Sequence, residues 1–112
     1  MATSEELYAR LEAEAEYCRG WSNGPGDRYS PHSHPYRKIL YCVSGSITFR
    51  LEATGEQVRL GPGDRLVVEP GAVHSALVGK GGVRCVEGQG RPAGRSKAAP
   101  RPAKTLWDLI RG

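Results

Sequence analysis

Glycine punctuation constrains this chain more than any other feature. From Tyr17 to Glu87 short apolar segments alternate with Asn23-Gly-Pro-Gly26, Ser44-Gly45, Ala53-Thr-Gly55, Gly61-Pro-Gly-Asp64, Pro70-Gly71 and Gly79-Lys-Gly-Gly82. Each of these carries the positive-φ or pre-set-φ chemistry that turns require. The segments between them predict strands over 17–22, 28–34, 37–43, 46–51, 56–60, 65–69, 73–78 and 83–87. Many short strands at close, regular spacing indicate an all-β sandwich or barrel. With 112 residues the chain has room for one domain and a modest core.

Ahead of the strands, Thr3-Ser-Glu-Glu6 reads as a capping box, with Thr3 as N-cap and Glu6 reaching back. Leu7, Leu11 and Ala15 give a narrow apolar stripe on a short helix ending near residue 15. Such a helix is marginal alone and is expected to dock on the strands. Behind the strands, residues 91–104 hold three prolines and no apolar periodicity, the pattern of a flexible basic linker. Residues 105–112 form a short docking segment in which Leu106, Trp107 and Ile110 share a face; it would dock on this chain, a sister subunit or another protein.

The formal charge of +4 is unevenly spread. Residues 1–16 carry five acids against Arg10, and residues 91–112 carry six Lys or Arg against Asp108. A basic tail without a recognition helix or stacking motif makes nucleic acid an unlikely partner. No apolar run approaches a membrane span, and no basic-then-apolar leader begins the chain, so a cytoplasmic protein is expected. The cysteines Cys18, Cys42 and Cys85 are odd in number and unpaired in spacing, which fits reduced thiols.

All three histidines lie in two segments, His32-Ser-His34 and His74. Residues two apart on a strand share a face, so His32 and His34 would point together. His74 on a neighbouring strand would complete a facial triad for a divalent transition metal: Fe, Zn, Ni, Cu or Mn. The plainer alternative is three imidazoles satisfied by hydrogen bonds in a polar barrel mouth. Continuing the alternation, Lys38, Leu40 and Cys42 face inward with His34, while Ile39, Tyr41 and Val43 face outward. That outward apolar face needs a cover, from the N-terminal helix or from a second protomer, and a homodimer is expected. Tyr36 shares the inward parity and is a candidate proton donor or a packing ring. Cys42 and Cys85 are candidates to line the lumen or simply to fill the core.

These segments resemble the paired motifs of the cupin superfamily over about residues 20–88. Gly26, His32, His34 and Gly45 fall in register with the first motif, and Gly63, Gly71 and His74 with the second. Three positions depart: Lys38 replaces a glutamate, Glu69 a proline and Val78 an asparagine. The resemblance implies a small antiparallel β-barrel (a double-stranded β-helix, jelly-roll-like) over 17–90, with the helix of 1–16 and the C-terminal tail outside it. It also implies that the glutamate replaced by Lys38 would be a fourth metal ligand.

An ammonium ~4–5 Å from a divalent ion is repelled by several kcal/mol even at an effective dielectric near 20. Lys38 therefore has three courses: to lose its proton, to swing toward a carboxylate, or to pair with an anion bound at the metal. A three-histidine site also keeps the ion's full double charge. Together with Lys38 and Arg37 at the mouth, this favours a small anionic ligand. Two functions fit: an oxygenase-like or lyase-like enzyme with Lys38 and Tyr36 as catalytic candidates, or a non-catalytic module sensing a ligand or metal. The family resemblance implies the first, since some three-histidine cupins cleave C–C bonds or oxidise thiols; the basic linker and terminal segment suit the second.

Overall fold

A computed structural model describes residues 2–91 and the two-residue strand Lys104–Thr105. The helix α1 (Ser4–Glu12) is followed by β1 (Ala15–Asn23), β2 (Arg28–His32), β3 (Lys38–Leu51), β4 (Gln57–Leu60), β5 (Arg65–Val68), β6 (His74–Gly90) and β7 (Lys104–Thr105). Among the described residues no helix is long and apolar enough to cross a membrane.

The architecture is a ribbon of two long antiparallel strands, β3 and β6, folded over on itself. The first half of β3 (Lys38–Tyr41) lies between β5 and the last part of β6, to whose far side β1 is added. Its second half (Ile47–Arg50) lies between β4 and the first part of β6, to whose far side β2 is added. The two walls enclose an inner core of Leu40, Phe49, Leu51, Leu60, Leu66, Val68 and their neighbours. Turn spacing alone left a sandwich or a barrel open, and the fold is the antiparallel β-barrel that the cupin resemblance implies.

One expectation fails instructively. Ser44-Gly45 and Gly79-Lys-Gly-Gly82 were expected to separate strands, but each lies inside a continuous one. The ladder passes from Gly45↔Val83 to Ile47↔Val78, so four residues of β6 oppose one of β3 and the ribbon bends there. Gly45 and Gly82 both have positive φ, 76° and 75°. A Cβ on Gly45 would collide with the Gly82 carbonyl oxygen, so the bend depends on the absence of a side chain. Glycine marks a bend and a turn with the same letter, and only the strand pairing tells them apart.

The outward face of β3 is covered from within the chain. Ile39 and Tyr41 form a second core with Leu7, Leu11, Ala15, Val67 and Val86, with Val43 packed at its edge. The capping box forms as expected: the Glu6 N–H donates to Thr3 Oγ1 and the Thr3 N–H to Glu6 Oε1, both at 3.1 Å. Burying Leu7 and Leu11 contributes roughly 1.5–3 kcal/mol each, enough to hold a nine-residue helix that is marginal alone. Because α1 supplies this cover, the apolar face of β3 no longer requires a second protomer.

The helix ends at Glu12, short of residue 15, and Ala15 opens β1 instead. Glu14 explains the early stop. Its buried carboxylate accepts from the Tyr41 hydroxyl at 2.6 Å and the Arg65 Nε at 3.0 Å, and Arg65 adds a second ion-pair contact. These bonds need the chain to turn toward β3 and β5, which a further helical turn would prevent.

The expected linker and docking segment lie outside the described residues, apart from Arg91 and β7. The backbone of β7 pairs in parallel with β5, Lys104 opposite Leu66 and Thr105 opposite Val67. Leu106, Trp107 and Ile110 lie outside the described residues.

Gly45→Ala should cost roughly 3 kcal/mol or more, from left-handed strain and the collision with Gly82 together. Gly26→Ala, at φ 77° with open space around the position, should cost only about 1 kcal/mol. Urea unfolding of the two variants beside the wild type measures the difference.

Candidate metal centre

The fold brings the three histidines together at one end of the inner core. His32 is the last residue of β2 and stands directly opposite His74, the first residue of β6. The sequence predicts β2 to residue 34, but it ends at His32, with His34 in the loop beyond it. The ring centroids lie 4.4 Å apart for His32–His74, 4.9 Å for His32–His34 and 5.4 Å for His34–His74. One ligand nitrogen from each ring lies within 4.8 Å of the other two. Among the described residues this is the one cluster of metal-capable side chains.

Hydrogen bonding fixes which nitrogens are presented. His32 Nδ1 lies 2.7 Å from the Ser30 carbonyl oxygen, and His74 Nδ1 2.8 Å from that of Ala72. A carbonyl only accepts, so each Nδ1 carries a proton, and in the neutral ring it is Nε2 that holds the lone pair. This is the outer support that metal-binding imidazoles commonly have. His34 Nε2 and His74 Nε2 are buried and have no hydrogen-bond partner. Buried polar atoms are rarely left so, and a divalent ion shared by the three rings would satisfy them. The donor set therefore fits a transition metal.

Burial pushes His74 down to about 4, well below the ordinary 6.5. Its bond to Ala72 opposes the shift, and His32, Lys38 and His34 add to it. His34 is lowered as well, by burial first and then by Lys38 and His32. Both rings are thus neutral at pH 7, the form that ligates metal.

His32 and His34 line a cavity of about 430 Å³, while the fully buried His74 does not reach its wall. Tyr36 lines the cavity with its ring 5.1 Å from that of His34, and Phe49 lines it with its ring 6.2 Å from that of His74. Lys38 lines it too, only 8% exposed, and takes the second of its three courses. Its Nζ pairs with Glu87 Oε1 at 3.0 Å, and Glu87 itself is 7% exposed. Trp21 Nε1 donates to the same oxygen at 2.6 Å, and Arg19 approaches the other at 3.5 Å.

Glu87 and Trp21 are among the cavity residues that reading the sequence missed, as are Tyr29 and Phe49. A signal for Glu87 was present: it lies two residues beyond Cys85, a candidate to line the lumen, and alternation gives the two residues one face. The cations at the mouth also differ from expectation. Arg37 packs against Gly90 and does not line the cavity, whereas Arg19 and Arg28 do. Cys42 and Cys85 are cross-strand partners within the inner core and do not line the cavity either. All three thiols are free.

The Cupin domain family matches residues 21–89. The chain is a cupin. Among curated proteins this cupin is 32% identical over 81 residues to quercetin 2,3-dioxygenase of Bacillus subtilis (strain 168), covering 67% of this chain and 23% of that enzyme. It thus spans about a quarter of that relative's length. Among solved structures it resembles KdgF from Halomonas sp. at 26% identity and TM-score 0.56, covering 67% of this chain and 69% of that one. The DMSP lyase DddQ from Ruegeria pomeroyi DSS-3 shares the fold, with TM-score 0.60 at 24% identity over 75% of this chain and 41% of its own.

The buried neutral histidines make the metal-free protein acid-sensitive. Between pH 6.5 and about 4 the unfolded chain binds a proton at His74 that the folded chain refuses. Stability should therefore be full near pH 7 and fall as the pH drops toward 4, by about 3 kcal/mol from His74 alone. His34 acts in the same direction. Urea midpoints of chelator-treated protein at pH 7.5, 6 and 4.5 would show the loss, and His74→Asn should flatten it.

Proposed function

We propose that this cupin is a metal-dependent enzyme, oxygenase-like or lyase-like, acting on a small anionic substrate, with His32, His34 and His74 as its metal ligands. The observation that carries the reading is the pair of buried, unpartnered Nε2 atoms on His34 and His74, converging with His32. When bound, the ion would supply Lewis acidity at a site with positions open to an exogenous ligand. The dioxygenase relative supports an oxygenase-like reaction over the stretch the two chains share.

The protein's own groups then have distinct tasks. Phe49 and the inner core behind it exclude water from the far side of the triad. Lys38 offers the N–H bonds not taken by Glu87 to the negative end of a ligand in the cavity. The Tyr36 hydroxyl, on a ring beside His34, is the candidate to hold or deliver a proton. Charge supports an anion as the ligand: Arg19, Arg28 and Lys38 line the cavity against the one carboxylate of Glu87. Three neutral imidazoles would leave a divalent ion's charge undiminished.

Metal analysis tests the centre. Wild-type protein titrated with divalent Fe, Mn, Co, Ni, Cu and Zn should retain one ion per chain, and the His32/His34/His74 triple alanine variant none. Stoichiometric retention by the variant would remove the histidines from the site. With Fe(II) loaded, oxygen uptake or product formation over a panel of diketones, thiols and hydroxy acids should identify turnover. Ligand binding without turnover would make the protein a binding module instead. Lys38→Ala should raise the KM or Kd for an anionic ligand by roughly tenfold or more, as expected for loss of a charged hydrogen bond.

A further inference from the structure

Lys38 and Glu87 form a buried ion pair beside the histidines, their side chains about one-tenth exposed. Such a pair is weak evidence for stability, because desolvation offsets most of the attraction. Its geometry is more telling than its energy. The Glu87 carboxylate is committed to donors: Trp21 Nε1 at 2.6 Å and Lys38 Nζ at 3.0 Å share Oε1, and the exposed Arg19 reaches Oε2 at 3.5 Å. The Trp21 indole, packed against the Tyr29 ring at 5.7 Å, sets the direction of Oε1. Lys38, by contrast, is underused. An ammonium has three donors, and Lys38 makes no other hydrogen bond or salt bridge among the described residues. It lines the same cavity as His32 and His34.

We propose that Glu87 is a positioning residue that holds the Lys38 ammonium in the cavity as its anion-reading group, and that the ligand is a small carboxylate set between Lys38 and the three histidines. This rests on the metal-centre and small-anion reading given above. Without Glu87 a four-carbon side chain would be free to leave for bulk water, where an ammonium is best solvated. With it, the free N–H bonds stay in the cavity on a side chain only about one-tenth exposed, where a charged hydrogen bond is stronger than in bulk water. Trp21 acts one step further back, by orienting the carboxylate.

Positioning and simple charge predict opposite signs, which makes the role testable. Glu87→Gln removes the negative charge but keeps an oxygen that accepts from Trp21 and Lys38. Glu87→Ala removes both. With acetate as the probe and Co(II)-loaded full-length protein, calorimetry and the cobalt absorption bands report binding. Glu87→Gln should bind acetate at least as tightly as wild type, because the cavity becomes more positive. Glu87→Ala should bind about tenfold more weakly despite the same gain in positive charge.

A metal-independent reading comes from labelling the chelator-treated protein with an acetylating N-hydroxysuccinimide ester. Mass spectrometry then compares Lys38 with the exposed Lys80. Lys38 should be protected in wild type and Glu87→Gln, and at least about fivefold more reactive in Glu87→Ala. If Glu87→Ala matches Glu87→Gln in both measurements, Glu87 acts only as a charge and the proposal fails. Should Glu87→Ala not fold, Trp21→Phe keeps both charges and an aromatic ring, though a smaller one, and removes the orienting N–H. It should weaken acetate about threefold and expose Lys38, and wild-type values would overturn the proposal. If wild-type protein takes up no Co(II), the metal-centre reading fails and the carboxylate ligand with it, while the labelling still decides whether Glu87 holds Lys38.

Discussion

The pairing of β3 with β6 is the contact on which the rest of this molecule depends. It runs from Lys38↔Gln89 to Leu51↔His74 and crosses both walls of the barrel. Every other main strand is added to one of these two: β1 and β2 to β6, β4 and β5 to β3. The bend at Gly45 and Gly82 folds the ribbon and lets its two halves face each other across the inner core. The same ribbon sets the site. His74 begins β6, Lys38 begins β3 and Glu87 lies near the end of β6, so the antiparallel pairing and the fold of the ribbon together bring Lys38 and Glu87 to the cavity and His74 against the two histidines that line it. A loss of register here would move a metal ligand and the ion pair at once, since one residue of slip inverts which face a side chain takes.

The cavity divides its work between rigid and adaptable parts. His32 and His74 are opposite partners in a strand pair, and each has its Nδ1 tied to a carbonyl two residues earlier in its own chain. His34 lies beyond the strand, in the segment that carries Tyr36 to the mouth. Two donors are therefore held by the sheet and the third by a loop. A binding-competent triad needs only that the loop keep its course from Ser33 to Arg37, which bends at Pro35 and Tyr36.

Much of this was legible before any coordinates. Alternation alone put Lys38, Leu40 and Cys42 inside and Ile39, Tyr41 and Val43 outside, because a half-buried strand fixes its parity wherever both faces are covered. Histidine spacing found the triad. What escaped was long-range. Glu87 is 49 positions from Lys38 in the chain, and nothing local announces their ion pair (87 − 38 = 49). Arg37 and Arg19 illustrate the same limit, since neighbours in sequence were credited with a mouth that a residue from β1 occupies. The helix end was misjudged for a related reason: the apolar stripe continued to Ala15, but the carboxylate of Glu14 had partners on β3 and β5.

The outer layer built on Glu14 has a consequence of its own. Tyr41 and Arg65 fasten the helix–strand junction to the back of the sheet, on the side away from the histidine cavity. The two hydrophobic clusters share no residue, and the sheet stands between them. Substitutions among Leu7, Leu11 and Val67 can thus adjust how tightly the molecule holds together without reshaping what the cavity admits. A lineage of such chains has two separate places to vary, one for endurance and one for chemistry.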